Sequence, residues 1–394
     1  MKRFEFLRFL SAAIVAAALV AVTHAGPPEP GGYLFISSFM TDSVLRYDQR
    51  TGAFVDEFVP RFSGGLTSPE GLVVGPHDHD LYVVGGFEGG PGQTKAVFRY
   101  NGTDGAFLGE FTEPGHLIRP AAVLFGPDGN LYVTDFIEFG SPAKIVRFNG
   151  TTGAFMDDFV DPLVGGVTNP LGMAFAPSVE NPITLDLYIC SYSTSSVLRY
   201  DGTTGDFKGT YAVVDGVPLS LAFGPDSNLY VTSGDQRNVL RFQGPAGSSP
   251  GALMDTFVPA GSGGLLSADG LLFGPDGNED GEQDLYVTTL EWTGSAKAKK
   301  GTSGVKRYDG VTGAFIDTFV TPDSGGLRGP DFLTFTDTDP VTLNYRGGPA
   351  RHAVIHGVPE PTSLLMTSLG AAGMALYRWR RRGARVACRR VTLR

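Results

Sequence analysis

The chain repeats one unit, and that unit decides the architecture. Residues 120–160 contain four short apolar runs, at 122–125, 131–134, 145–148 and 154–160. Each is β-branched or aromatic and only a few residues long, which suits strands rather than helices. Gly-Pro-Asp-Gly-Asn (126–130) joins the first pair and Asn-Gly-Thr-Thr-Gly (149–153) the last. Proline presets one dihedral in such a link, while glycine and asparagine accept positive φ, so both are tight turns. The unit is four antiparallel strands.

It recurs six times. A Leu-Tyr pair opens the second strand at Leu81, Leu131, Leu187, Leu229 and Leu285, and Leu34-Phe35 takes its place in the first copy. The third strand carries Arg followed by Tyr or Phe at Arg46, Arg99, Arg147, Arg199, Arg241 and Arg307. The copies lie about 50 residues apart, the spacing of β-propeller blades. One four-stranded sheet cannot bury both its faces, but a ring of them buries each against its neighbours. The expected fold is all-β, a six-bladed propeller over residues 26–336. The N-terminal copy lacks its first strand, and the missing strand comes last, at 330–335. Pairing it beside residues 33–37 closes the ring and ties down both ends.

Composition agrees. Gly 55 and Pro 27 fit a turn-rich chain, and 42% hydrophobic residues suffice for a large core. Cys190 and Cys388 give no disulfide framework. Residues 1–25 read as a signal peptide: Lys2, Arg3 and Arg8, an apolar run from Phe9 to Val22, then Thr-His-Ala. At the other end a linker (337–358) leads into Pro359-Glu360-Pro361, an apolar stretch (364–377) and an arginine cluster from Arg378 to Arg382. The stretch is short for a stable span, and the arginines favour the cytoplasmic side. Without the two ends, the net charge falls from −10 to about −19, which disfavours nucleic acid and anionic lipid and favours cations. No P-loop, dinucleotide fingerprint, Cys/His zinc spacing or Gly-x-Ser-x-Gly elbow is present.

Two families are resembled. The tail (359–394) resembles the PEP-CTERM sorting signal, in the order Pro-Glu-Pro, short apolar segment, basic cluster. That resemblance implies export, transient anchoring in the cytoplasmic membrane, an exosortase-type transpeptidase as partner, and a final place at the cell surface or outside the cell. The repeats resemble the NHL and SMP-30/lactonase-like propellers in strand pattern and in the Gly-Pro-Asp-Gly turn. They lack the Trp-Asp of WD40 blades and the double-Gly kelch signature.

Antiparallel order sends both hairpins of a blade to one end of the ring, here called the bottom. The connections from second to third strand, and those between blades, go to the top. The top loops vary most, and variable loops on a rigid frame are where binding resides. Three expectations concern sites. At the start of the inner strands the series reads Glu70, Ala121, Leu171, Leu219, Asp269, Asp331, so three carboxylates stand at equivalent places near the channel mouth. In SMP-30-like lactonases an acidic residue near this place holds a divalent metal, and Glu70 is the one that resembles it. Phe39, Phe87, Phe136, Tyr192 and Trp292 follow the second strands, where exposed rings would stack on sugars. Finally, the last full repeat carries an insertion, Asp276-x-Asn278-x-Asp280-Gly281-Glu282-x-Asp284. Alternate oxygens with glycine sixth curl a chain round a hard cation. The hairpin resembles the calcium hairpins of integrin-type blades, which implies Ca²⁺ held by Asp276, Asn278, Asp280 and Asp284 with the Glu282 carbonyl.

Two functions follow as expectations. One is a non-enzymatic surface propeller that binds extracellular polysaccharide, matrix glycans or proteins. The other is a metal-dependent lactonase or a lyase of the streptogramin-lyase type.

Overall fold

The computed structural model describes residues 32–87, 94–136, 143–293 and 297–347, and they form six four-stranded antiparallel sheets. Blade one contains β1 (Tyr33–Ser38), β2 (Ser43–Asp48) and β3 (Phe54–Val59); blade two contains β4 (Leu72–Val74), β5 (Leu81–Gly85), β6 (Ala96–Tyr100) and β7 (Phe107–Glu110). Blade three is β8 (Pro120–Phe125), β9 (Leu131–Asp135), β10 (Lys144–Phe148) and β11 (Phe155–Val160). Blade four is β12 (Pro170–Pro177), β13 (Leu185–Ser191), β14 (Ser196–Asp201) and β15 (Phe207–Val213). Blade five is β16 (Pro218–Phe223), β17 (Leu229–Ser233), β18 (Asn238–Phe242) and β19 (Leu253–Val258). Blade six is β20 (Leu271–Gly274), β21 (Asp284–Thr289), β24 (Gly304–Tyr308) and β25 (Phe315–Val320), with a small ribbon, β22 (Trp292–Thr293) and β23 (Lys297–Ala298), in its top connection.

The ring closes as the sequence implies. The last strand, β26 (Pro330–Phe335), pairs antiparallel with β1, Leu34 opposite Phe335 and Ile36 opposite Leu333, and completes blade one. The first strands of successive blades pack on one another in the order β26, β4, β8, β12, β16, β20 and back to β26. Small residues make this approach possible. A Cβ on Gly270 would lie 2.1 Å from the Asp331 carbonyl oxygen, and one on Gly172 2.7 Å from the Ser220 Cα.

Core packing repeats with the sequence. The tyrosine of each Leu-Tyr pair meets an aromatic of its own fourth strand and one of the next blade's first strand, both edge-on. Tyr132 lies 4.9 Å from Phe159 and 5.2 Å from Phe175, and Tyr286 4.9 Å from Phe319 and 5.0 Å from Phe335. Such pairs add about 0.5–1.5 kcal/mol beyond area burial. The repeated arginine lies across its blade. Arg46, Arg147, Arg241 and Arg307 pair with Asp56, Asp157, Asp255 and Asp317 on the fourth strand. Where that strand has Gly109 or Gly209 instead, Arg99 turns to Asp78 and Asp80, and Arg199 to Glu180 and Asp186.

A second recurring device fills the wedge between blades. Ser63-Gly64-Gly65 and its counterparts at 262–264 and 324–326 form one tight turn, the middle glycine at φ 64°, 58° and 64°. A buried tyrosine of the following blade donates to the serine carbonyl: Tyr100 to Ser63 at 2.9 Å, Tyr308 to Ser262 at 2.9 Å and Tyr47 to Ser324 at 2.8 Å. Tyr200 makes the looser equivalent to Val164 at 3.5 Å. Blades three and five have no such turn before them, and there the position is Phe148 and Phe242, which need no acceptor.

The expected linker at 337–358 needs correction at its start. Residues 337–347 are part of the fold and form a strap across the bottom of the ring. The Phe125 amide donates to the Pro340 carbonyl (3.0 Å), that of Phe175 to Val341 (3.3 Å), and Gln283 Nε2 to Tyr345 (2.8 Å). Val341 packs against the core between blades three and four, and Leu343 against the cores of blades four/five and six/one. The strap is held in shape by a Thr338–Tyr345 bridge and an Arg346–Asp339 ion pair.

Candidate functional site: the upper mouth of the channel

The three expected carboxylates come from consecutive blades: Asp269 from six, Asp331 from one and Glu70 from two. The other half of the ring supplies Ala121, Leu171 and Leu219 at the same level. The mouth is therefore acidic on one side and apolar on the other. Hydroxyl groups of the second strands fix this level. Thr288 Oγ1 accepts the Gly270 amide (2.7 Å) and donates to the Asp331 carbonyl (3.1 Å). Thr232 does the same for the Ser220 amide (2.9 Å) and the Asp269 carbonyl (2.7 Å). Blade two has Val84 at this position, and there the Gly71 amide reaches the Ala121 carbonyl directly at 2.8 Å.

Glu70 and Asp269 are buried, and Asp331 is half-buried. Ser267 Oγ donates to Asp269 Oδ2 at 2.9 Å, yet burial pushes the Asp269 carboxyl up to about 7. A carboxyl in that range holds or gives up a proton at neutral pH.

The floor of the mouth is a residue that sequence reasoning passed over. At the position where the other blades have Gly71, Ala122, Gly172, Ser220 and Gly270, blade one has Phe332. Phe332 packs against the core between blades one and two and also against that between blades three and four, so its ring lies across the channel. The signal was present in the sequence, as a single large residue in a column of small ones.

The expected sugar-stacking rings are placed differently. Phe39, Phe87 and Phe136 run in a row over blades one to three, with centroids 6.4 Å and 5.7 Å apart. Phe39 and Phe136 are buried, so they pack the top loops instead of offering faces to solvent. The Arg119 guanidinium lies 4.7 Å from both the Phe87 and the Phe136 ring and donates from Nε to the Phe87 carbonyl at 3.2 Å. Phe87 and Tyr192 are half-buried, and the side chain of Trp292 is outside the described residues. The sorting residues Pro359, Glu360 and Pro361 and the signal peptide also lie outside them. Among the described residues no helix is long and apolar enough to cross a membrane.

The metal expected at the mouth does not fit these side chains. Glu70, Asp269 and Asp331 are not gathered round one point, and no group of three His, Cys, Asp or Glu among the described residues is so placed. At the bottom, the inserted hairpin is folded on its own amides. Asp276 accepts from Gly281 (2.7 Å) and Asp280 (3.3 Å), and Asp280 from Glu282 (2.9 Å).

No protein family matches the chain, and no curated protein matches it. Solved structures do. A protein of unknown function from Bacteroides caccae superposes with a TM-score of 0.53 at 14% identity, over 77% of this chain and 98% of that one. A chain of a nidogen/laminin complex gives 0.51 at 17% identity, over 78% and 98%. A gluconolactonase from Xanthomonas campestris gives 0.45 at 19% identity, over 65% and 79%, and a virginiamycin B lyase is a further propeller neighbour. At these identities the first two likenesses speak for the fold alone, whose six blades are this chain's own sheets, and leave activity open.

Proposed function

We propose that the chain is an exported, non-catalytic propeller that binds the hydroxyl-rich end or branch of an extracellular glycan in the upper mouth. The observation that supports this reading most is the Phe332 floor between an acidic and an apolar half-ring. Sugar C–H faces stack on an aromatic ring, and carboxylates accept from hydroxyls; a site with few polar groups on a mostly apolar base suits such a ligand. Export and sorting through the PEP-CTERM-like tail, by an exosortase-type enzyme, belong to the same reading and rest on residues 1–25 and 359–394. A chain of the same fold in a nidogen/laminin complex makes a protein ligand the natural competitor.

A second reading rests on Asp269. A buried carboxyl raised to about 7 suits general acid–base catalysis, as hydrolysis of a lactone or a lyase reaction requires. No metal step is derived for it, because the mouth carboxylates do not converge. One experiment separates the readings: neutral and acidic polysaccharides and simple lactones are titrated against wild type, Phe332→Ala and Asp331→Asn. The expected result is saturable binding of a polysaccharide, weakened at least about tenfold by either change, with no lactone turnover. Lactone turnover lost in Asp269→Asn would establish the second reading. Binding that both mouth variants leave unchanged would remove the site from the mouth.

A further inference from the structure

Four wedges between blades carry the same small construction on their outer side, and one of them differs by a single residue. In each, an aromatic ring at the start of the fourth strand covers a glycine in the loop that leads into that blade. A Cβ on Gly64, Gly165, Gly263 or Gly325 would lie 2.0–2.4 Å from Phe107, Phe207, Phe315 or Phe54. All four rings stay exposed. The third strand supplies the residue that packs behind, as Phe98 does at 6.4 Å from Phe107. In one register of that strand, blades one to five have Leu45, Phe98, Val146, Leu198 and Leu240, all buried. Blade six has Lys306 in the same register, opposite Val287.

Lys306 is half-buried. Its Nζ donates to Thr318 Oγ1 at 2.9 Å, stands 5.8 Å from the centre of the Phe315 ring, and lies 3.7 Å from where a Cβ of Gly264 would be. At the counterparts Gly65, Gly166 and Gly326 nothing comes within 4 Å, so here alone a side chain reaches the open side of the turn. Among the described residues no carboxylate pairs with Lys306. The other lysines of the blade strands are paired: Lys144 with Asp158 at 3.0 Å, and Lys208 with Asp186 at 2.8 Å and Asp201 at 3.0 Å. The elements packed on Lys306 face it with Val287 of β21, Thr318 and Phe315 of β25 and Gly264 of the turn, none of them charged. Arg307, next along β24, is paired with Asp317. Without a counter-ion, burial disfavours the ammonium and holds its pKa below the ordinary lysine range. A lysine desolvated in this way is nucleophilic closer to neutral pH.

We propose that Lys306 is a nucleophilic amine that captures small aldehydes as reversible imines in the wedge between blades five and six. The neutral nitrogen attacks the carbonyl carbon, and the C=O π electrons move to oxygen. A proton passes from nitrogen to that oxygen, and the Thr318 hydroxyl, already bonded to Nζ, is in reach to carry it. The new hydroxyl then leaves with the second nitrogen proton as water, which breaks the C–O bond and leaves C=N. No oxidation state changes, and the aldehyde is the sole co-reactant. The exposed Phe315 ring and the bare Gly264 leave room on either side for the group that the aldehyde carries. The site lies on the outer wall and does not depend on what the mouth binds.

The test is reductive labelling of the full-length protein with limiting acetaldehyde and cyanoborohydride, from about pH 6 to about pH 10, with each lysine followed by peptide mass spectrometry. At about pH 7 Lys306 is expected to label at least about fivefold faster than the exposed Lys300, and its rate to level off at a lower pH. Lys306→Leu, which installs the residue of blades one, four and five, should remove this label and leave the others unchanged. Thr318→Asp gives Lys306 the acid that Lys144 has in Asp158, at the same register. It should slow Lys306 about tenfold at about pH 7 and hardly at all at about pH 10, a change that a merely structural lysine would not show. Labelling of Lys306 no faster than of Lys300, or a rate that climbs with pH in parallel with those of the other lysines, would overturn the proposal. So would a Thr318→Asp variant that labels like wild type.

Discussion

Replacing Thr288 by valine tests whether hydroxyl groups or backbone geometry hold the mouth together. The side chains have nearly the same shape, and the position is fully buried, so packing is kept. What is lost is a hydroxyl that accepts the Gly270 amide at 2.7 Å and donates to the Asp331 carbonyl at 3.1 Å. Each buried group left without a partner costs about 1–3 kcal/mol, so the full loss for the two is roughly 2–6 kcal/mol. One relaxation could offset it. Blade two already has valine here, Val84, and its Gly71 amide bonds straight to the next blade's Ala121 carbonyl. If Gly270 can move to the Asp331 carbonyl in the same way, most of the cost disappears. The measurement is guanidinium unfolding followed by two probes, so that coincident curves justify a two-state free energy. We expect Thr288→Val to lose about 2–6 kcal/mol with an unchanged m-value, and Thr134→Val, whose hydroxyl receives the Ala122 amide at 2.7 Å, about 1–3 kcal/mol. A loss below about 0.5 kcal/mol for Thr288→Val would refute the reasoning, because it would mean that the backbone alone sets the level of the carboxylates.

Tyr100→Phe removes a buried hydroxyl from the Ser63 carbonyl and should cost about 0.5–1.5 kcal/mol, whereas Phe148→Tyr, with no Ser-Gly-Gly turn before its blade, should gain nothing in the same unfolding assay. Asp269 has a folded value of about 7 against an ordinary 3.8. The native state therefore binds the extra proton, and stability falls as pH rises from about 4 to about 7. Asp269→Asn should flatten that part of the stability–pH curve and leave the protein more stable than wild type at pH 8; parallel curves for the two would remove Asp269 as the cause.

Much of the ring was legible because each element carries its own signal and the signals repeat. Leu-Tyr, Arg-Tyr/Phe and the two hairpin types located the strands, and the orphan first strand at Pro330 revealed the closure. Even the mouth carboxylates could be aligned, since Glu70, Asp269 and Asp331 occupy one column of the repeat. Residues that act across the ring were not legible in that way. Phe332 belongs to blade one but packs against the core between blades three and four, and no local pattern reports on that distance. The strap has Pro, Asn and Gly in the manner of a linker, and its contacts reach blades one, three, four and six. Burial of Phe39 and Phe136 was missed because an aromatic after a strand looks the same whether the next loop covers it or not.

The strap also determines how the domain takes a mechanical load. The chain leaves the described fold at Gly347, on the same end as Tyr33. Any pull from the C-terminal segment meets the Arg346–Asp339 pair and the strap's bonds to Phe125, Phe175 and Gln283 before it reaches β26. Those bonds lie in three different blades and are loaded together. The closing strand, which a direct pull would unzip one pair at a time, is thereby shielded. The mouth is at the far end, and a pull applied at Gly347 should leave its geometry unchanged until the strap gives way.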